Sequence, residues 1–344
     1  MTLGHLLGID QLGRTGIEEI LDLAEAFEEV SGRQIPTVPA LRGRTVALMF
    51  FEDSTRTRLS FDTAAKRLSA QTLVFSAAGS SLSKGESLKD TFATVDAMGV
   101  DAMVVRHGCA GVPATATRWT TAPVLNAGDG RHEHPTQALL DCYTVTRHLG
   151  TPALDGLRVG IVGDVANSRV ARSDVAAFTA LGASVTLVGP PTLLPPSVAG
   201  WPVDVSHDLD EVLGDLDVVY LLRLQTERMA SNALPSVREY AQRYGLDGSR
   251  SARLKPGAVV MHPGPMNRGV EISPDVADGP RSLVLDQVAK GVAVRMAVLF
   301  LLLGSPASEP RSLGTAPRSS GSVGHWPEPV AEGARDARQG ATSG

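Results

Sequence analysis

The chain is poor in cysteine, in lysine and in long apolar runs, and each shortage excludes something. Only Cys109 and Cys142 occur among 344 residues. Two thiols cannot build a disulfide framework or a cysteine-rich zinc site, and such low usage fits a reducing, cytoplasmic setting. The most apolar stretch, 292–303, is twelve residues long and contains Arg295, whereas a membrane span needs about 20 apolar residues. It predicts a buried helix instead. Residues 1–20 carry no basic leader segment and reach acidic residues early, unlike a signal peptide. Excess positive charge is also missing. The formal net charge of −5 argues against a general nucleic-acid binder, whose footprint is a basic face. Only five of the 32 basic residues are lysine, and arginine suits bidentate recognition of phosphate and carboxylate.

What is present is ordinary globular composition, 43% hydrophobic and 20% charged, over a length that predicts about two domains at roughly 100–200 residues each. Ile17, Ile20, Leu21, Leu23, Ala24 and Phe27 repeat at helical spacing. Short apolar strands are then expected at 45–51, 73–75, 102–105 and 124–125, with helices at 58–69, 88–98 and 135–148 between or after them. The pattern breaks into Gly, Thr, Pro and Asp at 150–156, an inter-domain crossing. A second series follows, with strands at 157–162, 184–188, 217–222 and 258–261 and a helix at 168–181. A helix over 286–303 closes the series, with Gly304 as its stop. The alternation predicts an α/β fold of two domains, 1–147 and 148–285, each a parallel sheet flanked by helices. Residues 304–344, rich in Pro, Ser, Gly, Ala and Arg without apolar periodicity, are expected to be a disordered tail.

The strongest chemical signal is Glu52-Asp-Ser-Thr-Arg-Thr-Arg58, between a buried strand and a helix. A helix N-terminus offers free N–H groups and partial positive charge to an anion. Ser54, Thr55 and Thr57 add hydroxyl donors and Arg56 a charged fork. The alternative for an isolated Ser-Thr-Arg is a helix cap beside solvated arginines. More donors follow later strands: Arg106-His107, and then Asn126-Ala-Gly-Asp-Gly-Arg-His-Glu-His-Pro-Thr-Gln137. Ligands of parallel α/β sheets lie beyond the carboxyl ends of strands. His132 and His134 are the only candidate metal pair, and no third ligand stands at a recognisable spacing, so no metal and no cofactor are expected.

These residues carry a family resemblance. The ordered chain resembles the transcarbamylases, and within them the aspartate branch, through Phe50 to Arg58, Ser81-Leu-Ser-Lys-Gly-Glu86, Asp90-Thr91 and Arg106-His107. The match continues through Asn126 to Gly130, His134-Pro-Thr-Gln-Ala-Leu-Leu-Asp141, Gly163-Asp164 and Ser168-Arg-Val-Ala-Arg-Ser173. Arg223-Leu-Gln225, His262-Pro-Gly-Pro-Met266, Gln287-Val, Gly291-Val and Arg295 complete it. The resemblance implies transfer of a carbamoyl group from carbamoyl phosphate to L-aspartate, in pyrimidine synthesis. It implies that Ser54, Thr55, Arg56, Thr57 and Arg106 hold the phosphate, and that Thr57, Arg106 and His134 polarise the carbamoyl oxygen. Gln137 and the Gly264-Pro265 backbone would meet the rest of the carbamoyl group. Arg169, Arg223 and Gln225 would hold the aspartate carboxylates. Lys84, on the Ser81 loop, is similar to a lysine that enters a neighbouring subunit's site, which implies a homotrimer. The last helix is expected to return to the first domain. A separate regulatory chain or dihydroorotase are the further partners this resemblance admits.

Ornithine-directed relatives carry His-Cys-Leu-Pro where this chain has His262-Pro-Gly-Pro265, and an acidic Ser-Met-Gly loop absent here. Arg223-Leu-Gln225 with Glu227-Arg228 instead resembles a dicarboxylate loop, and Glu52 is expected to pair with Arg169. One departure stands out: Asn167 occupies a place where many relatives carry histidine, two residues before Arg169. It leaves open a paralogue acting on a different amino acid. A dehydrogenase reading of Val159-Gly-Ile-Val-Gly-Asp164 fails on glycine spacing, since Gly160 and Gly163 do not fit G-x-G-x-x-G. A non-catalytic scaffold would need a broken site.

Overall fold

The first sheet grows from four short strands, β1 (Thr45–Phe50), β2 (Gln71–Ser76), β3 (Ala102–His107) and β4 (Val124–Asp129), all parallel in the order β2-β1-β3-β4. β1 reads Thr-Val-Ala-Leu-Met-Phe, and five of its six residues are buried, as a strand covered on both faces requires. β2, at the edge, alternates half-buried and exposed residues. The covering helices are α1 (Gly13–Ser31), α2 (Thr55–Arg67), α3 (Leu88–Ala97), the short α4 (Val112–Ala116) and α5 (Pro135–Leu149). The computed structural model describes residues 3–76, 85–225 and 233–304. The Ser81 and Lys84 loop, Glu227-Arg228 and the tail beyond Gly304 therefore lie outside the described residues.

The second sheet has five parallel strands: β5 (Arg158–Val162), β6 (Ser184–Val188), β7 (Val203–Ser206), β8 (Val218–Leu221) and β9 (Val259–Met261), in the order β7-β6-β5-β8-β9. α6 (Arg169–Ala180), α7 (Leu209–Val212), α8 (Val237–Tyr244), α9 (Gly248–Ala252) and α10 (Pro274–Ala277) surround it. The last helix, α11 (Val284–Leu303), packs against α1, α2 and α5. The chain thus returns to its first sheet, with Phe300 set edge-on to Phe27 at 5.8 Å between ring centroids. The 292–303 run is buried at most positions, as expected of a core helix.

The differences from expectation have local causes. α2 begins at Thr55 rather than Arg58, so the Ser54–Thr57 donors form its first turn instead of a preceding loop. β3 and β4 run on to His107 and Asp129, carrying polar residues inside the ladder. β7 was unforeseen because Val-Asp-Val-Ser at a sheet edge is half polar and only four residues long. α11 starts at Val284 rather than 286, and it ends on Gly304 with right-handed φ of −83°, its N–H donating to the Phe300 carbonyl.

Candidate active site

Segments at or beyond the carboxyl ends of β1, β3, β4, β5, β8 and β9 converge on one cavity of about 680 Å³, and α11 adds further lining residues. Strand ends are where parallel sheets leave backbone groups and loops free to meet a ligand. The cavity is lined from the first half by Ser54, Thr55, Arg56, Thr57, Arg106, His134 and Gln137, and from the second by Arg169, Arg223, Gln225, Gly264 and Pro265. Of the residues singled out in the sequence, Lys84 with its loop partner Ser81, and Glu227-Arg228, fall outside the described residues.

The start of α2 separates the two readings of Ser-Thr-Arg. Ser54 stands at the cap position, yet its side chain makes no cap hydrogen bond. Ser87, Ser168 and Ser236, at the equivalent positions of α3, α6 and α8, each accept from an N–H three residues on. α5 likewise begins at His134 without a side-chain cap. The two helices whose first turns line the cavity in the first half therefore keep their N-terminal donors clear of side-chain caps, and those donors suit an anion. Across the cavity the Gly264–Pro265 peptide is cis. A Cβ on Gly264 would stand 2.7 Å from Arg56 Cζ, at the far end of a flexible side chain, and Gly264 has φ +64°, so the backbone conformation is what favours glycine there.

Glu52 joins the halves. Its Oε2 accepts from Arg169 Nη2 at 2.6 Å and lies 3.5 Å from Arg106 Nε. Arg106 Nη1 also donates to the Ala127 carbonyl at 3.2 Å. Gly128 makes room for the two cations: a Cβ there would lie 3.1 Å from Arg106 Nη1 and 3.2 Å from Arg169 Nε. The expected Glu52–Arg169 pair is thus present, and Glu52 serves Arg106 as well.

His134 is buried, with Nε2 3.5 Å from Thr57 Oγ1 and its backbone N–H donating to Ser173 Oγ at 2.9 Å. Burial, reinforced by Arg106, Arg295 and Arg169, holds its pKa well below the ordinary imidazole value. The ring is neutral at neutral pH and can donate one N–H without bringing a charge. His132, by contrast, is exposed and turns to Asp129, 3.2 Å away. Among the described residues no group of three or more His, Cys, Asp or Glu is placed to hold a metal ion.

On the second side Asn167 acquires a clear place. Its Nδ2 donates to Asp164 Oδ1 at 2.7 Å, and its carbonyl accepts from Gln225 Nε2 at 3.2 Å. Gln225 is thus braced by the backbone carbonyl at position 167, a contact independent of the side chain there, while Arg169 is fixed separately by Glu52. Burial raises the pKa of Asp164, opposed by the Asn167 hydrogen bond.

Ser60, His262, Gln287 and Arg295 are among the lining residues not singled out as site residues from sequence. Arg295 lies beneath the cavity, its Nη1 donating to Ser60 Oγ at 2.9 Å and its guanidinium 5.1 Å from the Phe61 ring centre. Burial lowers its pKa to about 10, with Asp141 opposing, and it remains a cation at neutral pH. A charge inside the most apolar run of the sequence was the available signal. His262 Nδ1 accepts from the Gly264 N–H at 2.8 Å, and its Nε2 lies 3.1 Å from Glu271 Oε1, which steadies the cis turn.

The cavity thus holds cations and neutral donors from both sheets, arranged for two anionic reactants and for negative charge developing between them. The comparisons agree with this arrangement. The family described as aspartate/ornithine carbamoyltransferase, carbamoyl-P binding domain, matches residues 4–147, and its Asp/Orn binding domain matches residues 155–302. An aspartate carbamoyltransferase catalytic subunit from Nocardioides sp. is 58% identical over 311 residues, covering 89% of this chain and 95% of that relative. The one from Acidothermus cellulolyticus is 56% identical over 324 residues, covering 94% and 99%. Trypanosoma cruzi aspartate transcarbamoylase in complex with carbamoyl phosphate and aspartate superposes with a TM-score of 0.79 at 33% identity, covering 87% of this chain and 96% of that one.

Proposed function

The chain belongs to the aspartate/ornithine carbamoyltransferase family, and on that premise we propose a residue-level reading of its cleft. The protein transfers the carbamoyl group of carbamoyl phosphate to the amino group of L-aspartate, giving N-carbamoyl-L-aspartate and phosphate. One observation carries the reading: uncapped helix starts and Arg106 face Arg169, Arg223 and Gln225 across a single cavity.

In this reading Ser54, Thr55, Arg56, Thr57 and Arg106 take the phosphate. Gln137 and the Gly264-Pro265 backbone take the carbamoyl amide. Thr57, Arg106 and neutral His134 donate to the carbamoyl oxygen, where charge accumulates as the amine attacks; fixed donors aimed at such a charge are commonly the largest catalytic contribution. Holding amine and carbonyl carbon together converts a bimolecular encounter into an effectively unimolecular one. Attack by the neutral amine forms the new C–N bond, the C–O bond to phosphate breaks, and the phosphate takes up the proton the amine releases as it leaves into the α2 donors. Arg169, Arg223 and Gln225 hold the two aspartate carboxylates. A cationic acceptor such as ornithine would instead bring its side-chain charge toward two arginines. The paralogue alternative is not favoured, since relatives at 56–58% identity are named aspartate carbamoyltransferase catalytic subunits.

The assignment of residues 1–147 with helix 286–303 to carbamoyl phosphate, and of 148–285 to the amine, belongs to the same proposal. So do a cytoplasmic location, a homotrimer in which Lys84 of a neighbour completes each site, and a role in pyrimidine synthesis. The direct test is titration with N-(phosphonacetyl)-L-aspartate, which spans both halves. Tight binding that is weakened by Arg106→Ala and by Arg223→Ala is expected; no binding to the intact chain would overturn the reading.

A further inference from the structure

Behind the cavity wall, one carboxylate gathers donors from three elements. Asp141 on α5 is fully buried and lies outside the cavity lining, which Gln137 and Gln287 reach. Its Oδ1 accepts from Gln287 Nε2 of α11 at 2.6 Å, and its Oδ2 accepts from Tyr220 Oη of β8 at 2.7 Å. Gln137 Nε2, one helical turn earlier on α5, lies 3.1 Å from Oδ1 and 3.2 Å from Oδ2. The orientation of Gln287 is fixed from its other end. Its Oε1 accepts from the His262 backbone N–H at 3.1 Å, and a backbone N–H can only donate. That leaves Gln287 Nε2 for Asp141. His262 in turn accepts from the Gly264 N–H, so the same carboxylate is linked to the opposite wall of the cavity.

These bonds decide which end of the Gln137 amide meets a ligand. A primary amide carries donors on its nitrogen and an acceptor oxygen. The nitrogen is committed between the two oxygens of Asp141, and among the described residues nothing donates to Gln137 Oε1. An ionised carboxylate offers acceptors only, so the opposite orientation would set oxygen against oxygen. Burial raises the Asp141 pKa, and the hydrogen bonds from Tyr220, Gln287 and Gln137 oppose it.

We propose that Asp141 is a specificity-determining positioning residue: by holding Gln137 Nε2 it turns Gln137 Oε1 to the cavity, so that the site selects an acyl phosphate bearing N–H on its carbonyl carbon and rejects the isosteric acetyl group. The inference rests on the carbamoyl-phosphate reading of the cavity. A carbamoyl NH₂ donates to that oxygen. A methyl group of similar size cannot, and it leaves a buried acceptor unpaired. Asp141 itself touches no substrate and acts through Gln137.

The test compares two phosphonates that differ at one group. Phosphonoacetamide keeps the carbamoyl NH₂, and acetonylphosphonate carries a methyl in its place. The intact chain is expected to bind the amide about tenfold or more tightly than the ketone, the cost of a hydrogen bond left unmade. In Asp141→Asn a donor replaces one acceptor, and Gln137 can turn its oxygen inward and its nitrogen to the cavity. The preference is then expected to fall by about fivefold or more. Comparing the two proteins cancels the intrinsic difference between the ligands. A merely structural role would weaken both ligands alike, so an unchanged preference overturns the proposal. Tyr220→Phe removes a different donor from the same carboxylate and is expected to keep the preference; its loss there would also count against the proposal. If Asp141→Asn does not fold, side-chain nitrogen-15 NMR of the intact chain decides. The Gln137 amide protons are expected to be protected from solvent exchange with and without phosphonoacetamide, and protection gained only on binding would place the nitrogen toward the ligand and overturn the proposal. No binding of phosphonoacetamide to the intact chain would instead remove the cavity reading itself.

Discussion

At the scale of single residues, the site works by placing cations and neutral donors at different depths. Arg106 reaches the cavity while anchored to Ala127 and Glu52, and Arg223 lines the opposite wall. The two arginines should therefore separate kinetically. Arg106→Ala is expected to lower kcat/KM by about 10²–10³, the usual loss on deleting a donor to a developing oxyanion. Arg223→Ala is expected to raise the KM for aspartate by about tenfold or more, the worth of one charge-assisted hydrogen bond, with a much smaller change in the KM for carbamoyl phosphate. Steady-state kinetics with each substrate varied checks both; equal effects on the two KM values would count against the split.

His134 gives a second residue-scale prediction. Its pKa lies below the ordinary value because burial and then Arg106 disfavour the imidazolium. The unfolded chain therefore binds this proton more readily, so the stability tied to a neutral His134 is present above about pH 6.5 and lost as pH falls toward the folded value. Nitrogen-15 NMR of the ring should show a neutral tautomer at about pH 6, where a free histidine is largely charged. A His134 titration centred on the ordinary value would contradict this.

At the scale of elements, helix caps divide structural serines from binding ones. Ser236 accepts from the Glu239 N–H at 3.0 Å and caps α8, whereas Ser54 leaves the start of α2 without a side-chain cap. Ser236→Ala should cost about 1 kcal/mol in a denaturant melt without altering substrate affinity. Ser54→Ala should leave stability nearly unchanged and weaken phosphate or carbamoyl phosphate binding. The reverse pattern would mean that Ser54 is an ordinary cap. The same division bears on the alternative that the sequence left open at Ser54, a helix cap or an anion donor. Ser54, Ser87, Ser168 and Ser236 are the same residue type at the same helix position, and only the surroundings of α2 leave its serine oxygen unused by the helix.

At the scale of the whole molecule, α11 is part of the first half's core although it lies last in the described chain. Its buried face, including Ala293, Val294, Met296 and Val298, packs on α1, α2 and α5, and it carries Gln287 and Arg295 to the cavity floor. A chain ending before Val284 would expose those apolar surfaces and lose Arg295. It is expected to give no cooperative thermal transition, since each large side chain withdrawn from such a core costs about 2–5 kcal/mol. A chain ending at Gly304 retains every residue lining the cavity and should keep its melting temperature and turnover. Circular dichroism melts and a phosphate-release assay distinguish the two outcomes.

The sequence by itself determined the ladder of alternating strands and helices and the polar turns after β1, β3, β4, β5, β8 and β9. Both are local: a buried parallel strand needs a continuous apolar run, and a ligand-facing turn needs glycine, hydroxyls and arginine within a few residues. Hence Ser54 to Thr57, Arg106, His134 and Gln137 stood out from local pattern, whereas Arg169, Arg223 and Gln225 were marked only by the family resemblance. Only the tertiary structure decided that Glu52, expected to pair with Arg169, also meets Arg106, that Arg295 lies under the cavity, and that the backbone carbonyl at 167 braces Gln225. Each depends on partners brought together from separate elements, up to 235 positions apart for Arg295 and Ser60. No periodicity encodes such contacts, because they are selected by how two sheets and a returning helix enclose the same buried volume. The arginine-rich, lysine-poor composition suggested anion recognition, and the fold gathered a few of those arginines around one cleft.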